Sequence, residues 1–458
     1  MIVMKFGGTS VGSADSVKNT ANIIKSYIEK KPIIVVSAVS GITDKLIELV
    51  NAASQGKGDE ILDNIKKSHY EILDKSGLDK SIIEKDIENL SKIINVLKNS
   101  KGIFGTPKIA KRFSSEIKNN NIDAKTLGEF QSFGEQMSSK IVAAQLNKLG
   151  VKAQAFNAWD LGFVTNSEFG NAEPLEETFN NLNNNIKKLS LVPVITGFIG
   201  KTKDGEIATL GRGGSDYTAA IVGSAIGADE IQIWTDVDGI MSADPKIVSN
   251  AKLLERVSFA EASELAYFGV RVLHPKTILP AVKKNIPVTV LNSFNPESVG
   301  TLILNEVEKS KQIVKAITSK KNITLIHVDS KRMLGAYGFL ARLFDVFYKY
   351  KQSIDVISTS EVSVSMTADN GKNLNDIALD LRGIAEVKVI KNKAVICIVG
   401  EGMKHTPGVA GRIFSILGKN NINIEMISQG ASEINITFIV DGKDAEHAIR
   451  VLHGEYFE

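Results

Sequence analysis

The chain has 458 residues, 43% of them hydrophobic and 23% charged, and its formal net charge is +3. At roughly 100–200 residues per domain, that length calls for several domains. The near balance of charge argues against nucleic acid or an anionic membrane as the main partner, because such surfaces demand a clustered basic excess.

The opening run Met1-Ile-Val-Met-Lys-Phe6 is too short for a secretory leader and passes straight into Gly7-Gly8. No apolar run approaches the roughly 18 residues that span a bilayer, so a cytoplasmic location is expected. Ile2–Phe6 is predicted as a strand, 16–29 as a helix, and Ile33–Val36 as a strand buried on both faces. This is a βαβ unit with a glycine turn at its first loop. From about 55 to 125 the chain turns rich in Lys, Glu, Asp and Asn, with Ile61, Ile65, Ile83, Ile87, Leu90, Ile94 and Leu97 at helical spacing. A helical insertion covering the sheet is expected there, its charges forming solvated faces. Sheet character should return at Phe130, followed by a helix over 135–149 and strands over 152–157 and 191–198. A hairpin at 203–206, a helix over 215–226, a strand over 230–235, a helix near 259–268 and a strand over 287–292 complete the series. Such alternation implies an α/β domain, 1–305, with a mostly parallel sheet between helices.

The last third is duplicated. Gly338-Phe-Leu-Ala-Arg342-Leu-Phe344 maps onto Gly408-Val-Ala-Gly-Arg412-Ile-Phe414, and the same shift carries Ile354, Ile357 and Ser358 onto Ile424, Ile427 and Ser428. Two related α+β modules, 316–385 and 394–458, follow. Cys397 is the single cysteine and lies in an apolar run, which predicts a buried small hydrophobe and excludes an internal disulfide.

Three segments carry candidate chemistry. In Lys5-Phe6-Gly7-Gly8-Thr9-Ser10 the glycines let main-chain N–H groups approach a phosphate, and Lys5 supplies a cation; a purely structural turn fits equally well. It is not a Walker A loop, since the lysine precedes the glycines. Thr209-Leu-Gly-Arg212-Gly-Gly-Ser215-Asp216 sets three glycines around an arginine able to grip a carboxylate, while Ser215 and Asp216 also suit a helix cap. Trp234-Thr235-Asp236-Val237-Asp238-Gly239 ends a buried strand, at the sheet edge where such folds bind ligands; it also reads as a plain turn. Ser37 to Thr43 adds hydroxyls at that edge, and Phe133-Gly134-Glu135 puts a carboxylate at an expected helix start, where the helix dipole alone would account for it. His274 reads as structural. A carboxylate nucleophile is already ionised at neutral pH, so a kinase for it needs charge neutralisation and alignment rather than a base.

Taken together, KFGGTSVG from Lys5, VSAVSGIT from Val36, FGEQMSS from Phe133, TGFIG from Thr196, TLGRGGSDYTAA from Thr209, WTDVDGI from Trp234 and FGVRVLHPKT from Phe268 resemble the aspartate kinases of the amino-acid-kinase superfamily. The resemblance covers essentially the whole chain. It implies a carbamate-kinase-like three-layer sandwich followed by two ferredoxin-like ACT domains. It implies ATP with Mg²⁺ carried mainly by its phosphates, L-aspartate as acceptor, and the first step toward lysine, threonine and methionine. Lys5, Gly7, Gly8 and Ser37 would then serve ATP, as would Thr235, Asp236, Met241, Lys246 and Arg271. Thr43, Glu135, Phe198, Arg212, Ser215 and Asp216 would bind aspartate, with Glu135 on its ammonium and Arg212 on a carboxylate. Asp216 would position Lys5. Met241 and Lys246 depart from the Tyr and Arg frequent in relatives. Met333, Gly338, Phe339, Leu340, Ser353, Ile354, Asp355, Ser360 and Glu361 resemble the effector site of lysine-inhibited members, although Gly335 and Ala336 replace a His-Ser pair found in some. Ile427 to Gly430 resembles threonine sensors, so lysine is favoured as effector and threonine stays open. ACT modules imply a homodimer or dimer of dimers. The competing readings are a kinase for another acidic amino acid and a sensor whose kinase half only binds nucleotide.

Overall fold

Alternation along the first strand, β1 (Ile2–Phe6), decides how its sheet is layered. Ile2, Met4 and Phe6 enter one apolar core, and the two-residue period of a strand sends Val3 and Lys5 to the opposite face. The computed structural model describes the chain except for residues 100–121, 270–272, 308–311, 331–332, 334–336 and 372. It divides into two units: 1–240 with 255–257 and 272–305, and 241–254 with 258–271 and 306–458.

From β1 the chain runs through α1 (Ala14–Ser26), β2 (Pro32–Val36), α2 (Ile42–Ala53), α3 (Asp59–Ser76), α4 (Ser81–Asn99), α5 (Ala124–Lys148), β3 (Ala153–Phe156) and β4 (Val164–Thr165). Next come α6 (Glu176–Ile186), β5 (Val192–Thr196), β6 (Ile199–Thr202), β7 (Ile207–Thr209), α7 (Gly214–Ile226), β8 (Glu230–Thr235) and β9 (Arg256–Ser258). After α8 (Phe259–Tyr267), which folds with the second unit, come α9 (Pro275–Lys283), β10 (Val288–Asn292) and β11 (Thr301–Leu304). The main sheet has the order β3-β5-β2-β1-β8-β10-β11-β9, parallel from β3 to β10. The expected hairpin joins β6 to β7 in a small second sheet. Because β1 lies between β2 and β8, the winding reverses there, and the crevice beyond its carboxyl end is where open α/β sheets take ligands. Helices α3 and α4 bury Ile65, Ile83, Ile87, Leu90, Ile94 and Leu97 in the core shared with α1, α2 and α5. The rest of the expected insertion, 100–121, lies outside the described residues.

Helix α5 corrects the sequence reading. It starts at Ala124, not Glu135, and Asp123 caps it by accepting the Thr126 N–H at 2.7 Å. Gly128 and Gly134 lower the helical signal of this stretch, yet packing requires Gly134: a Cβ there would stand 2.7 Å from Ala38 Cβ.

In the second unit β12 (Ala316–Asp329), α10 (Phe339–Lys349), β13 (Ile357–Thr359), β14 (Ser363–Asp369), α11 (Leu374–Arg382), β15 (Glu386–Val399), α12 (Val409–Lys419), β16 (Met426–Ser428), β17 (Asn435–Asp441) and α13 (Ala445–Phe457) form one sheet ordered β13-β14-β12-β15-β17-β16. Strands β12 and β15 pair along both halves, 316–320 with 395–399 and 323–329 with 386–393. Ile326, Phe339, Leu343 and Met366 make one core; Ile317, Ile396, Ile413 and Phe438 make another. The modules therefore divide differently from 316–385 and 394–458, since Ile317 packs with the second core. Ala243 and Val248, expected within the 1–305 domain, join that core too. Helix α8 is tied to the same unit by Glu261, fully buried, which pairs with Lys315 at 2.9 Å and accepts the Glu401 N–H at 2.8 Å. Cys397 is buried as expected, and burial pushes its thiol up to about 12. Among the described residues no helix is long and apolar enough to cross a membrane.

Gly134→Ala should destabilise the protein by about 1–3 kcal/mol by overpacking α5 against Ala38. Urea unfolding should show this as a lower midpoint with an unchanged slope.

Candidate active site

Lys5, sent by strand alternation to the face opposite the main core, meets the first turn of α7. Its Nζ lies 2.6 Å from Asp216 Oδ1, with side-chain exposures of 11% and 12%. A carboxylate in a first helical turn is favoured by the helix dipole, so Asp216 is a stable anchor for the ammonium. Beyond the strand ends, the Gly7 N–H donates to Trp234 O at 3.0 Å and the Ser37 N–H to Phe6 O at 3.1 Å. The loops after β1, β2 and β8 thus leave at one edge. A Cβ on Gly8 would sit 2.9 Å from Ala38 O, so only glycine lets these two loops touch.

Arg212 projects from the turn leading into α7 and is exposed. Gly213 beside it adopts φ +72°, and a Cβ there would strike Thr277 Cγ2 at 2.8 Å. Ser215 is buried one residue before Asp216. Phe198 holds a left-handed backbone, φ 67°, fixed by its N–H donating to Thr218 Oγ1 at 3.0 Å and its carbonyl accepting the Leu210 N–H at 2.9 Å. Such a conformation costs roughly 1–3 kcal/mol and persists where surrounding contacts over-determine it.

Glu135 sits in the middle of α5, so the helix-start explanation is withdrawn. It is 3% exposed; Oε1 accepts the Ala38 N–H at 3.2 Å, and Oε2 has no partner. Burial pushes its carboxyl up to about 8. One turn on, Ser138 Oγ donates to Ser37 O at 2.7 Å and clamps α5 to the loop after β2. Thr43 is half-buried in the first turn of α2. Lys5, Gly7, Gly8, Ser37, Thr43, Glu135, Phe198, Arg212, Ser215 and Asp216 are thus borne by elements of the first unit linked through these contacts.

Thr235 and Asp236 follow β8, and Thr235 O accepts both the N–H and the Oγ–H of Ser293 at 2.8 and 3.0 Å. Sequence reasoning missed the loop after β10. Asn292 and Asn295 donate to Asp238 Oδ1 at 2.9 and 3.1 Å, and Ser293 Oγ meets Ser10 Oγ at 2.8 Å. Only strand order puts β10 beside β8; no local motif announces it. Met241 and Lys246 belong to the second unit, where the Lys246 N–H donates to Asp244 Oδ1 at 2.9 Å. Arg271 lies outside the described residues. The imidazole of His274 is held below its ordinary pKa by burial and by Arg212 and Lys276 nearby.

In the second unit, Met333 N–H donates to Ser330 O, Ser330 N–H to Val362 O, and Ser360 N–H to Ser363 O. These bonds gather Met333, Ser360 and Glu361 at one end of the first module. Gly338, φ +78°, opens α10, with Phe339 buried and Leu340 exposed. The Asp355 N–H donates to Thr367 O. Thr367 lies four residues along β14 from Ser363, about 13 Å at strand rise. Asp355, with Ser353 and Ile354 just before it, is therefore separated from Ser360 within one chain. Gly335 and Ala336 lie outside the described residues. Among those described, no group of three His, Cys, Asp or Glu side chains is placed to hold a metal ion.

A parallel sheet with a glycine turn, a lysine and an arginine loop at its switch point, joined to a duplicated α+β unit, defines an amino acid kinase with a regulatory half. Residues 1–292 match the model of the amino acid kinase family, and 396–456 match an ACT domain model. Aspartokinase 2, chloroplastic, of Arabidopsis thaliana is 38% identical over all of this chain and 84% of the relative. Lysine-sensitive aspartokinase 3 of Escherichia coli is 36% identical over 100% and 99%. The crystal structure of E. coli aspartokinase III in complex with aspartate and ADP superposes with a TM-score of 0.81 at 34% identity, covering both chains completely. The chain belongs to the aspartokinase branch of the amino acid kinase family.

Glu135 also gives stability a pH dependence. Between about 4.5 and about 8 the folded protein keeps a proton that the unfolded chain has released. Stability therefore falls as pH rises through that window. Glu135→Gln should abolish this slope, so thermal melts should show the variant gaining on wild type from acid to alkaline pH.

Proposed function

We propose that this protein transfers the γ-phosphoryl group of ATP to the side-chain carboxylate of L-aspartate, giving 4-phospho-L-aspartate and ADP. The observation that carries the reading is the covered Lys5–Asp216 pair at the switch point of the sheet, beside the arginine loop. An aspartate carboxylate oxygen bonds to the γ-phosphorus as the bond to the β,γ-bridging oxygen breaks, and that electron pair leaves with ADP. No proton is transferred, so no general base is needed, and Asp216 is committed to Lys5 instead.

Lys5 neutralises the transferring group, while the Gly8 N–H and the Ser37 hydroxyl offer donors from loops in mutual contact; Gly7, its own N–H given to Trp234 O, leaves room for the close approach of a phosphate. Arg212 grips a substrate carboxylate, and Thr43, Phe198 and Ser215 line the acceptor. The unpartnered Oε2 of Glu135 suits the substrate ammonium: a buried carboxyl that is largely protonated when free ionises once that cation arrives. Thr235 and Asp236 face the nucleotide. Magnesium would be held through the nucleotide phosphates, whose charge it neutralises.

The ACT unit serves feedback by an amino acid, lysine first and threonine second, as the lysine-sensitive relative suggests. The separation of Asp355 from Ser360 supports an effector site completed by a second copy of the chain.

Lys5→Met should lower kcat by about 10²–10³-fold, the usual cost of one electrostatic stabiliser. Arg212→Ala should chiefly raise the KM for aspartate. Trapping the acyl phosphate with hydroxylamine, with aspartate and glutamate in parallel, checks both; equal turnover of glutamate would overturn the acceptor assignment.

A further inference from the structure

Helix α8 is attached to the regulatory unit at both ends, and the two attachments differ. Toward its start, Glu261 is locked to Lys315 and to the Glu401 N–H, and Glu264 to Asn435, all on strands or loops that build the second core. At its end, Tyr267 reaches the first module instead: its Oη donates to Asp355 Oδ1 at 3.0 Å. The other oxygen, Oδ2, is held by Lys320 Nζ at 2.7 Å, and the same ammonium pairs with Asp369 at 2.7 Å. Lys320 also lies 6.0 Å from the centre of the Tyr267 ring. Phe268 O accepts from Thr318 Oγ1 at 2.9 Å.

The side chain of Asp355 is only 5% exposed, so no ligand can add to its carboxylate without displacing a partner already there. An ammonium-bearing effector and the chain's own lysine are chemically the same competitor. We propose that Asp355 is an exchange point: in this conformation Lys320 and Tyr267 occupy it, and an incoming amino-acid ammonium takes it over and releases the end of α8 from the first module. Lys320 and Tyr267 thereby set how tightly the effector binds. This rests on the regulatory reading above. Because the inhibitor must bind the released state better than the held one, weakening the internal partners favours the inhibitor.

The test uses the full-length chain with lysine, and threonine in a parallel arm, as titrants in the hydroxylamine assay. Tyr267→Phe should lower the half-inhibitory concentration roughly tenfold, the scale of one hydrogen bond to a charged group, with uninhibited kcat and KM within about twofold of wild type. Lys320→Gln should shift it the same way, and Lys320→Arg, which keeps the ion pair, should restore wild-type response. A merely structural role for Tyr267 would lower the melting temperature and leave the half-inhibitory concentration in place, and that result, or a rise in it, overturns the exchange. If wild type responds to neither amino acid, the regulatory reading falls and the exchange with it. A normal wild-type response with unaltered variants removes the exchange alone.

Discussion

An ammonium buried to nine-tenths needs a permanent counter-charge, and in this fold Asp216 supplies it. The placement follows from a chain of simple constraints. A five-residue strand buried on both faces alternates its side chains, so Lys5 must face α7 if Met4 and Phe6 face the main core. The helix on that side begins with its positive end toward the strand terminus, and a carboxylate in its first turn is stabilised there. The loop leading into that helix carries Arg212, four residues before Asp216. One ion pair thus aligns a strand, a helix and a loop that are more than 200 residues apart in the chain.

Much of this was legible in the sequence, because glycine punctuation and hydrophobic period are local signals. The turn at Gly7-Gly8, the arginine loop before α7 and the buried strand before Thr235 all occur where those signals put them. What failed did so where tertiary packing overrides local preference. Gly134 weakens a helix that Ala38 nevertheless requires to be bare at that point, so α5 seemed to begin eleven residues late. Glu135 could not be recognised as a fully enclosed carboxyl, since its enclosure comes from the loop after β2. The Asn292–Asn295 network around Asp238 and the contact of Tyr267 with Asp355 depend on strand order and on separations of 54, 57 and 88 residues.

The duplication shows a related limit. Matching residues at a fixed shift identify two copies of one plan but do not say which copy owns a strand. In the folded chain β12 continues past the point where the sequence repeat begins, giving its first half to one core and its second half to the other. Segments 241–254 and 258–271, numbered among the catalytic residues, fold with the regulatory unit for the same reason: Ala243, Val248 and Glu261 find their apolar and ionic partners there.

Two fourteen-residue strands that pass through both sensor copies, with only a bulge in their pairing near 320–325, make the pair inseparable in a mechanical sense. A cut between the copies would have to sever a hydrogen-bonded ladder rather than a linker, and the inner edge of each half would be left as bare strand. Twist or tension applied to one copy must be felt by the other through continuous backbone, so the duplicated halves are better regarded as one elastic plate with two pockets' worth of helices than as beads on a string.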